Sequence, residues 1–308
     1  MVQLARRVGV LLVAASTVAA CGGTAASPSP SGPPAPTAVA SPPVLQAEYD
    51  IGGGRKMHIY CIGAVNPAKP TVVFEGGLED LSAEWNAVLY LLDGSFRSCV
   101  YDRAGHGRHR QSDPAEVGRT TTDQVADLRA LLAAAEVQPP YLLVGFSSGG
   151  WNVTVHADKY PQDVAAILFV DVRPAAYTRR SLAALPPEEA TEALAMKTIR
   201  KDLPVFEHDP TVNEEGLLLD ASADEVLATG DFGATPLIAL AASDISENLA
   251  GLPAELAATL EGIWWELQAE LAAKSSVGRL DKVDGTGHDI PNERPDAIVD
   301  ALGELLGG

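Results

Sequence analysis

Apolar runs alternate with amphipathic stretches along the chain from residue 44 onward. Apolar residues at helical spacing predict a helix at 120–136, where Val125, Leu128 and Leu132 form one stripe. Short apolar runs between turn residues predict strands at RKMHIYCIG, TVVFEGG, FRSCVYDRAG, YLLVGFSSGG, VAAILFVDV, TPLIALAAS and GRLDKVDGTGH. Nearly unbroken apolar runs are typical of parallel strands that helices cover on both faces, so this pattern favours an α/β layered domain.

Residues 175–232 interrupt the alternation. They are rich in Leu, Ala and Glu, contain several prolines, and predict two or three helices. Regular order returns with the strand TPLIALAAS, a long helix from about Pro253 to Lys274 and a closing helix over RPDAIVDALGELL. We therefore expect one domain over residues 44–308, with a small helical cap inserted at about 175–232.

The composition sets outer bounds on the function. The chain has 308 residues, of which 46% are hydrophobic and 20% charged, enough to bury one large core. Its formal net charge is −19, and only short basic pairs follow Arg7. Binding to nucleic acid depends on clustered Lys and Arg that neutralise phosphates, so the composition argues against a nucleic-acid partner.

The first residues read as a targeting segment. Arg6 and Arg7 precede an apolar run at 8–20, which is too short to span a bilayer and suits the apolar core of a secretory signal. The run ends in VAAC, and small residues directly before Cys21 resemble a bacterial lipobox, in which the cysteine is lipidated. The alternative is an ordinary signal peptide followed by a chance cysteine.

Residues 22–43 are almost entirely Gly, Ser, Thr, Ala and Pro. Such a composition cannot bury apolar area and predicts a disordered tether. We therefore expect a lipoprotein signal at 1–20 and a tether at 21–43. The domain would be exported and held on the extracytoplasmic side of a bacterial membrane by a lipid on Cys21.

The run YLLVGFSSGG contains the candidate nucleophile. Gly145, Ser147 and Gly149 fit the G-x-S-x-G pattern of a nucleophile elbow, with a predicted strand before it and a predicted helix after it. The glycines are expected because the turn leaves no room for Cβ atoms near the serine. The alternative is a flexible glycine-serine turn.

A serine hydroxyl needs a base, and a carboxylate must orient that base. His288 is the candidate base, because it follows a strand and a glycine-rich turn and precedes a helix. It would then lie at the carboxyl edge of the sheet, beside Ser147. A purely structural role for His288 is the alternative.

Four segments occur in the order in which a known superfamily carries them: PTVVFEGGLED, SCVYDRAGHG, GFSSG and GTGHDI. Over nearly all of residues 44–308 the chain resembles the α/β-hydrolase superfamily, and most of all its exported bacterial members. The resemblance implies a mostly parallel central sheet flanked by helices. It also implies an oxyanion hole at the backbone N–H groups of Leu78 and Ser148, and a reaction that uses neither cofactor nor metal.

The resemblance leaves two candidates for the orienting acid. Family members carry it after either of two late strands, and Asp171 and Asp244 occupy those two positions. We favour Asp171, because Asp244 lies farther before His288 than is usual, and keep Asp244 as the alternative.

Cys61 and Cys99 both fall in predicted strands, and an exported protein can form a disulfide. From the residues alone, a disulfide and two separate buried thiols are equally open. The resemblance implies that these two strands are the second and the fourth of the family's fold, which are neighbours in the sheet. It implies in turn that the two cysteines are bonded.

The predicted function is a serine hydrolase that cleaves a small-molecule ester or amide. A peptidase similar to the proline iminopeptidases and a cofactor-free lyase are alternatives on the same fold. A different class of function is a surface lipoprotein that keeps the fold only as a binding scaffold.

Overall fold

The computed structural model describes residues 42–106 and 112–307. The predicted signal at 1–20, residues 21–41 of the predicted tether, and Cys21 lie outside the described residues. Among those that are described, no helix is both long and apolar enough to cross a membrane.

The strands of the described residues form one eight-stranded sheet. They are β1 (Val44–Gly52), β2 (Arg55–Ile62), β3 (Thr71–Glu75), β4 (Ser98–Tyr101), β5 (Tyr141–Phe146), β6 (Val164–Val170), β7 (Leu237–Ala242) and β8 (Arg279–Val283). Their order across the sheet is β1-β2-β4-β3-β5-β6-β7-β8. β1 and β2 are antiparallel, as are β2 and β4, and every later neighbour is parallel. The predicted mostly parallel central sheet is therefore confirmed.

Helices fill most of the connections between these strands. They are α1 (Asn86–Leu92), α2 (Thr121–Ala134), α3 (Gly149–Lys159), α4 (Tyr177–Ala184), α5 (Leu194–Lys197), α6 (Leu203–His208), α7 (Leu219–Leu227), α8 (Ala254–Ala272), α9 (Ile290–Glu293) and α10 (Pro295–Leu305). Short 3₁₀ turns lie at Ser82–Trp85, Pro161–Asp163 and Ser246–Leu249, and a π-helical turn lies at Thr198–Asp202.

Successive side chains of a strand point to opposite faces of the sheet. Helices pack against both faces and bury both sets of side chains. Val73 and Leu143 belong to a core that includes side chains of α2 and α3. Val72 and Leu142, each one position away, belong to a second core with side chains of α1 and α10. Fully burying each such side chain contributes about 1.5–3 kcal/mol, so both cores stabilise the sheet.

A third group of apolar side chains lies away from the sheet. Met196 of α5 packs there with Leu256, Leu260 and Trp264 of α8. The segment between β6 and β7, which holds α4 to α7, is thereby joined to the long helix that comes after β7. This is the segment that the sequence predicts to be a cap.

A disulfide joins Cys61 and Cys99. The two residues stand directly opposite each other on the antiparallel pair β2 and β4, with their Cα atoms 4.0 Å apart. Antiparallel neighbours that are not hydrogen-bonded to each other come closest of all strand pairs, which allows a bridge here.

Candidate active site

Ser147 lies between the end of β5 and the start of α3, on a sharp turn. Its φ is 51°, a left-handed conformation that non-glycine residues seldom adopt. A Cβ added to Gly145 would lie 2.7 Å from the Cα of Gly150, and one added to Gly149 would lie 2.3 Å from the Gly76 carbonyl oxygen. Glycine is thus required on both sides of Ser147 because strand, helix and the loop after β3 meet there.

The imidazole of His288 joins Ser147 to Asp171. His288 Nε2 lies 3.0 Å from Ser147 Oγ, and Nδ1 lies 2.6 Å from Asp171 Oδ2. The side chain of Asp171 is buried, and its Oδ1 accepts a hydrogen bond of 2.8 Å from the Ala242 N–H. With Nδ1–H donating to Asp171, Nε2 is left as the acceptor that faces the serine hydroxyl.

The two acids that the sequence leaves open have different surroundings. Asp244 is exposed, and its Oδ1 accepts a hydrogen bond of 2.8 Å from the Ser246 N–H. Among the described residues, no hydrogen bond joins the Asp244 carboxylate to His288. The structure therefore brings Asp171, and not Asp244, to the imidazole.

The backbone N–H of Ser148 follows the nucleophile directly in the chain, and that of Leu78 lies on the loop after β3. Within the described part of the chain, neither N–H donates to another protein group. The turn that carries Leu78 touches the nucleophile, since a Cβ added to Gly77 would lie 3.0 Å from Ser147 Cβ. Two such donors beside a serine can stabilise negative charge that develops on a substrate oxygen.

A cluster of carboxylates lies beside His288. Glu84 accepts a hydrogen bond of 2.6 Å from the side-chain amide of Asn292, and Asp80 accepts one of 2.7 Å from the Gly77 N–H. Partial burial, together with the charges of Asp80 and Asp289, raises the pKa of Glu84 to about 7. Burial likewise raises the pKa of Asp80. These carboxyls therefore keep less negative charge near neutral pH than exposed ones.

A cavity of about 240 Å³ opens directly onto Ser147 and His288. Most of its remaining wall is apolar and comes from α8 and from the segment between β6 and β7. The lining side chains from these parts are Tyr177, Ile199, Leu203, Leu260 and Trp264, together with Arg173 and Ser181. A concave, largely apolar site with a few polar groups is typical of small-molecule binding.

Two residues beside the site escape prediction from the sequence. Arg103, within the segment DRAG, and Glu215, between α6 and α7, form an ion pair beneath the loop after β3. The DRAG segment gives a signal for Arg103, but no local pattern distinguishes Glu215 from the other acids around it. Over residues 42–106 and 112–307, no group of three or more His, Cys, Asp or Glu side chains is arranged to hold a metal ion.

The sequence profile of the Alpha/beta hydrolase family matches residues 72–301. The chain is 38% identical over 101 residues to the uncharacterized protein YqjL of Bacillus subtilis, a stretch that covers 33% of this chain and 39% of that protein. It is 30% identical over 105 residues to the 2-(acetamidomethylene)succinate hydrolase of Mesorhizobium japonicum, covering 34% of this chain and 36% of that enzyme. The chain thus matches well under half the length of these curated relatives.

Solved structures show the same fold at low identity. The crystal structure of a loop variant of the haloalkane dehalogenase DbeA from Bradyrhizobium elkanii superimposes with a TM-score of 0.59. The superposition covers 86% of this chain and 97% of the dehalogenase, with 16% sequence identity. At that identity the likeness establishes the fold alone.

Proposed function

Because the chain belongs to the alpha/beta hydrolase family, we propose that it is a serine hydrolase that cleaves an ester or amide of a small molecule. One observation carries the proposal: His288 lies within hydrogen-bond distance of both Ser147 Oγ, at 3.0 Å, and Asp171 Oδ2, at 2.6 Å. This is the geometry by which a weak serine nucleophile is activated.

These contacts support the following order of steps. Ser147 Oγ attacks the substrate carbonyl carbon while its proton passes to His288 Nε2, and Asp171 stabilises the imidazolium that forms. The carbonyl oxygen becomes an oxyanion that accepts hydrogen bonds from the Leu78 and Ser148 N–H groups. When the tetrahedral intermediate collapses, His288 returns the proton to the leaving alcohol or amine. A water molecule then attacks the carbonyl carbon of the acyl-enzyme while its proton passes to His288. The bond to Ser147 Oγ breaks, Oγ takes the proton back from His288, and the carboxylic acid leaves.

The cavity supports a small substrate with an apolar group. Its volume of about 240 Å³ lies below the 300–1,000 Å³ range that is common for ligand sites. Apolar side chains such as Leu203, Leu260 and Trp264 suit an aliphatic or aromatic group next to the scissile bond.

A panel of p-nitrophenyl esters of increasing chain length, together with aminoacyl amides, tests this function. We expect turnover of short to medium esters, loss of more than 99% of it in Ser147→Ala, and less than a fivefold change in Ser148→Ala. The second variant is the matched control, because alanine keeps the backbone N–H that Ser148 supplies. Turnover of the amides alone would favour a peptidase. Turnover of no member of the panel, with intact folding, would favour a binding scaffold.

We also propose that the protein is an exported lipoprotein held at the membrane by Cys21. The support is the VAAC sequence after an apolar run, followed by a tether without apolar residues that could insert by themselves. Stable attachment needs more than one acyl chain, as a lipidated N-terminal cysteine provides. In a bacterial host, Cys21→Ser is expected to move the protein from the membrane fraction to the soluble fraction. Unchanged membrane association would contradict the anchor.

A further inference from the structure

The direction of the Leu78 N–H depends on its neighbours in the chain. A trans peptide unit is planar, and its C=O and N–H point in opposite directions. The Leu78 N–H shares a peptide unit with the carbonyl of Gly77. Whatever group holds the Gly77 oxygen on one side therefore directs the Leu78 N–H to the other side.

Arg103 holds that oxygen. Its Nη2 donates a hydrogen bond to the Gly77 carbonyl, and its Nη1 donates one of 2.8 Å to the Gly76 carbonyl. Only 6% of the Arg103 side chain is exposed. The guanidinium therefore fixes two consecutive carbonyl groups of the loop that carries Leu78.

Glu215 holds both Arg103 and the next peptide unit of the loop. Its carboxylate accepts hydrogen bonds from Arg103 Nε at 2.8 Å and Nη2 at 2.6 Å. The same carboxylate accepts one of 2.6 Å from the Glu79 N–H, which belongs to the peptide unit on the other side of Leu78. Gln124 donates a further hydrogen bond to it. Both peptide units that flank Leu78 are thus fixed, one by Arg103 and one by Glu215.

The electrostatics favour Glu215 as the charged partner of the guanidinium. Glu75 also lies 3.5 Å from Arg103, but burial raises its pKa. Burial acts in the same direction on Glu215, yet the charge and hydrogen bonds of Arg103 outweigh it and lower the pKa of Glu215. Removing one partner from a buried ion pair leaves the other charge uncompensated. Loss of the Glu215 charge would therefore leave the Arg103 guanidinium without the carboxylate that holds it.

We propose that Glu215 is a positioning residue for the oxyanion hole, which acts through Arg103 and through the Glu79 N–H to direct the Leu78 N–H toward the substrate oxygen. This role rests on the proposed serine hydrolase. Because Glu215 lies between β6 and β7, it also ties the segment that forms the wall of the cavity to the catalytic loop. The neighbouring Glu214 N–H reinforces this tie by donating a hydrogen bond of 2.7 Å to Glu79 Oε1.

Glu215→Gln tests the role, since glutamine offers one acceptor oxygen where the carboxylate offers two. Its amide group would face the N–H groups of Arg103 or Glu79, so one of these contacts is lost. Removing one oxyanion-hole donor lowers kcat by about 10²–10³-fold, so we expect misalignment to lower it by roughly 30–100-fold. KM for a p-nitrophenyl ester is expected to stay within about threefold, because the oxyanion forms only in the transition state.

The rate of covalent reaction with a fluorophosphonate gives a second readout, because its phosphoryl oxygen also enters the oxyanion hole. We expect this rate to fall in Glu215→Gln by a factor similar to that for kcat. Asp127→Asn is the matched control. Asp127 is a buried carboxylate that pairs with Arg55 and Arg119 and makes no hydrogen bond to the loop after β3 among the described residues. Both kcat and the labelling rate are expected to change by less than about threefold in this control, even if its thermal stability falls.

The outcomes separate the positioning role from the proposed function. If the wild-type protein neither turns over esters nor reacts with the fluorophosphonate, the function itself is wrong. If the wild-type protein reacts and Glu215→Gln reacts at the same rate, the positioning role is wrong. Should Glu215→Gln not fold, Glu215→Asp replaces it, because aspartate keeps the charge but is too short to reach both partners. A kcat for that variant within twofold of wild type would overturn the proposal.

Discussion

Asp171→Asn replaces one carboxylate oxygen of the candidate site with an NH₂ group, and the contacts around it decide how His288 responds. The Ala242 N–H lies 2.8 Å from Oδ1 and can only donate, so the asparagine oxygen stays at that position. The asparagine NH₂ group then faces His288 Nδ1, in place of an oxygen that lies 2.6 Å away. Nδ1 must therefore become an acceptor, and the ring proton moves to Nε2.

An Nε2–H that points at Ser147 Oγ, 3.0 Å away, cannot accept the serine proton. In a serine protease the same exchange lowers kcat by about 10⁴-fold while the geometry is preserved. That factor corresponds to a rise of about 5.5 kcal/mol in the activation barrier. We expect a loss of this order in Asp171→Asn, with little change in KM.

Steady-state kinetics on a p-nitrophenyl ester, with circular dichroism as the check on folding, measures the effect. Asp244→Asn is the matched control, since its exposed carboxylate contacts the Ser246 N–H, and we expect its kcat to fall by less than tenfold. A folded Asp171→Asn that keeps more than a tenth of wild-type kcat would refute the reasoning. A larger loss in Asp244→Asn would assign the orienting role to the other acid.

Two further predictions concern stability. Burial, aided by the charge of Arg129, lowers the pKa of His156 from 6.5 to about 4, so the unfolded chain binds its proton first as the pH falls. His156 is therefore expected to contribute a drop of about 3 kcal/mol in the free energy of unfolding between pH 6.5 and 4. Urea titrations of wild type and His156→Phe should differ by this contribution, and an equal pH dependence in the two proteins would contradict it. The bridge between Cys61 and Cys99 spans 38 residues, which corresponds to about 4 kcal/mol from chain entropy. Residues 44–308 under denaturing, non-reducing conditions should show no free thiol, and two reactive thiols would exclude the bridge.

The parts of the fold that could be predicted from the sequence are those whose causes are local. A short unbroken apolar run such as Val164–Val170 favours a central strand that is buried on both faces. The elbow at Ser147 is predictable because its G-x-S-x-G pattern, between an apolar run and a helix, lies within a few residues of sequence. β1 is absent from the predicted strands, because its exposed and half-buried residues alternate and the polar side chains of Gln46 and Glu48 obscure the apolar pattern.

The remaining features depend on contacts between distant parts of the chain. Asp171 follows β6 directly and Asp244 lies two residues after β7. The sequence does not reveal that the Ser246 N–H binds Asp244 while His288 faces Asp171. Glu215 meets the Glu79 N–H across 136 positions, and nothing in its own segment marks it among several acids. Such a pairing becomes visible only when the loop after β3 and the segment between β6 and β7 are seen together.

The most direct test of the account is to locate the residue that an active-site reagent modifies. The folded protein is treated with a fluorophosphonate, digested, and examined by mass spectrometry, alongside Ser147→Ala and His288→Ala. We predict a single adduct on Ser147, its absence in Ser147→Ala, and labelling slowed by at least a hundredfold in His288→Ala. An adduct on another serine, or equal labelling of wild type and Ser147→Ala, would contradict the claim that Ser147 is an activated nucleophile.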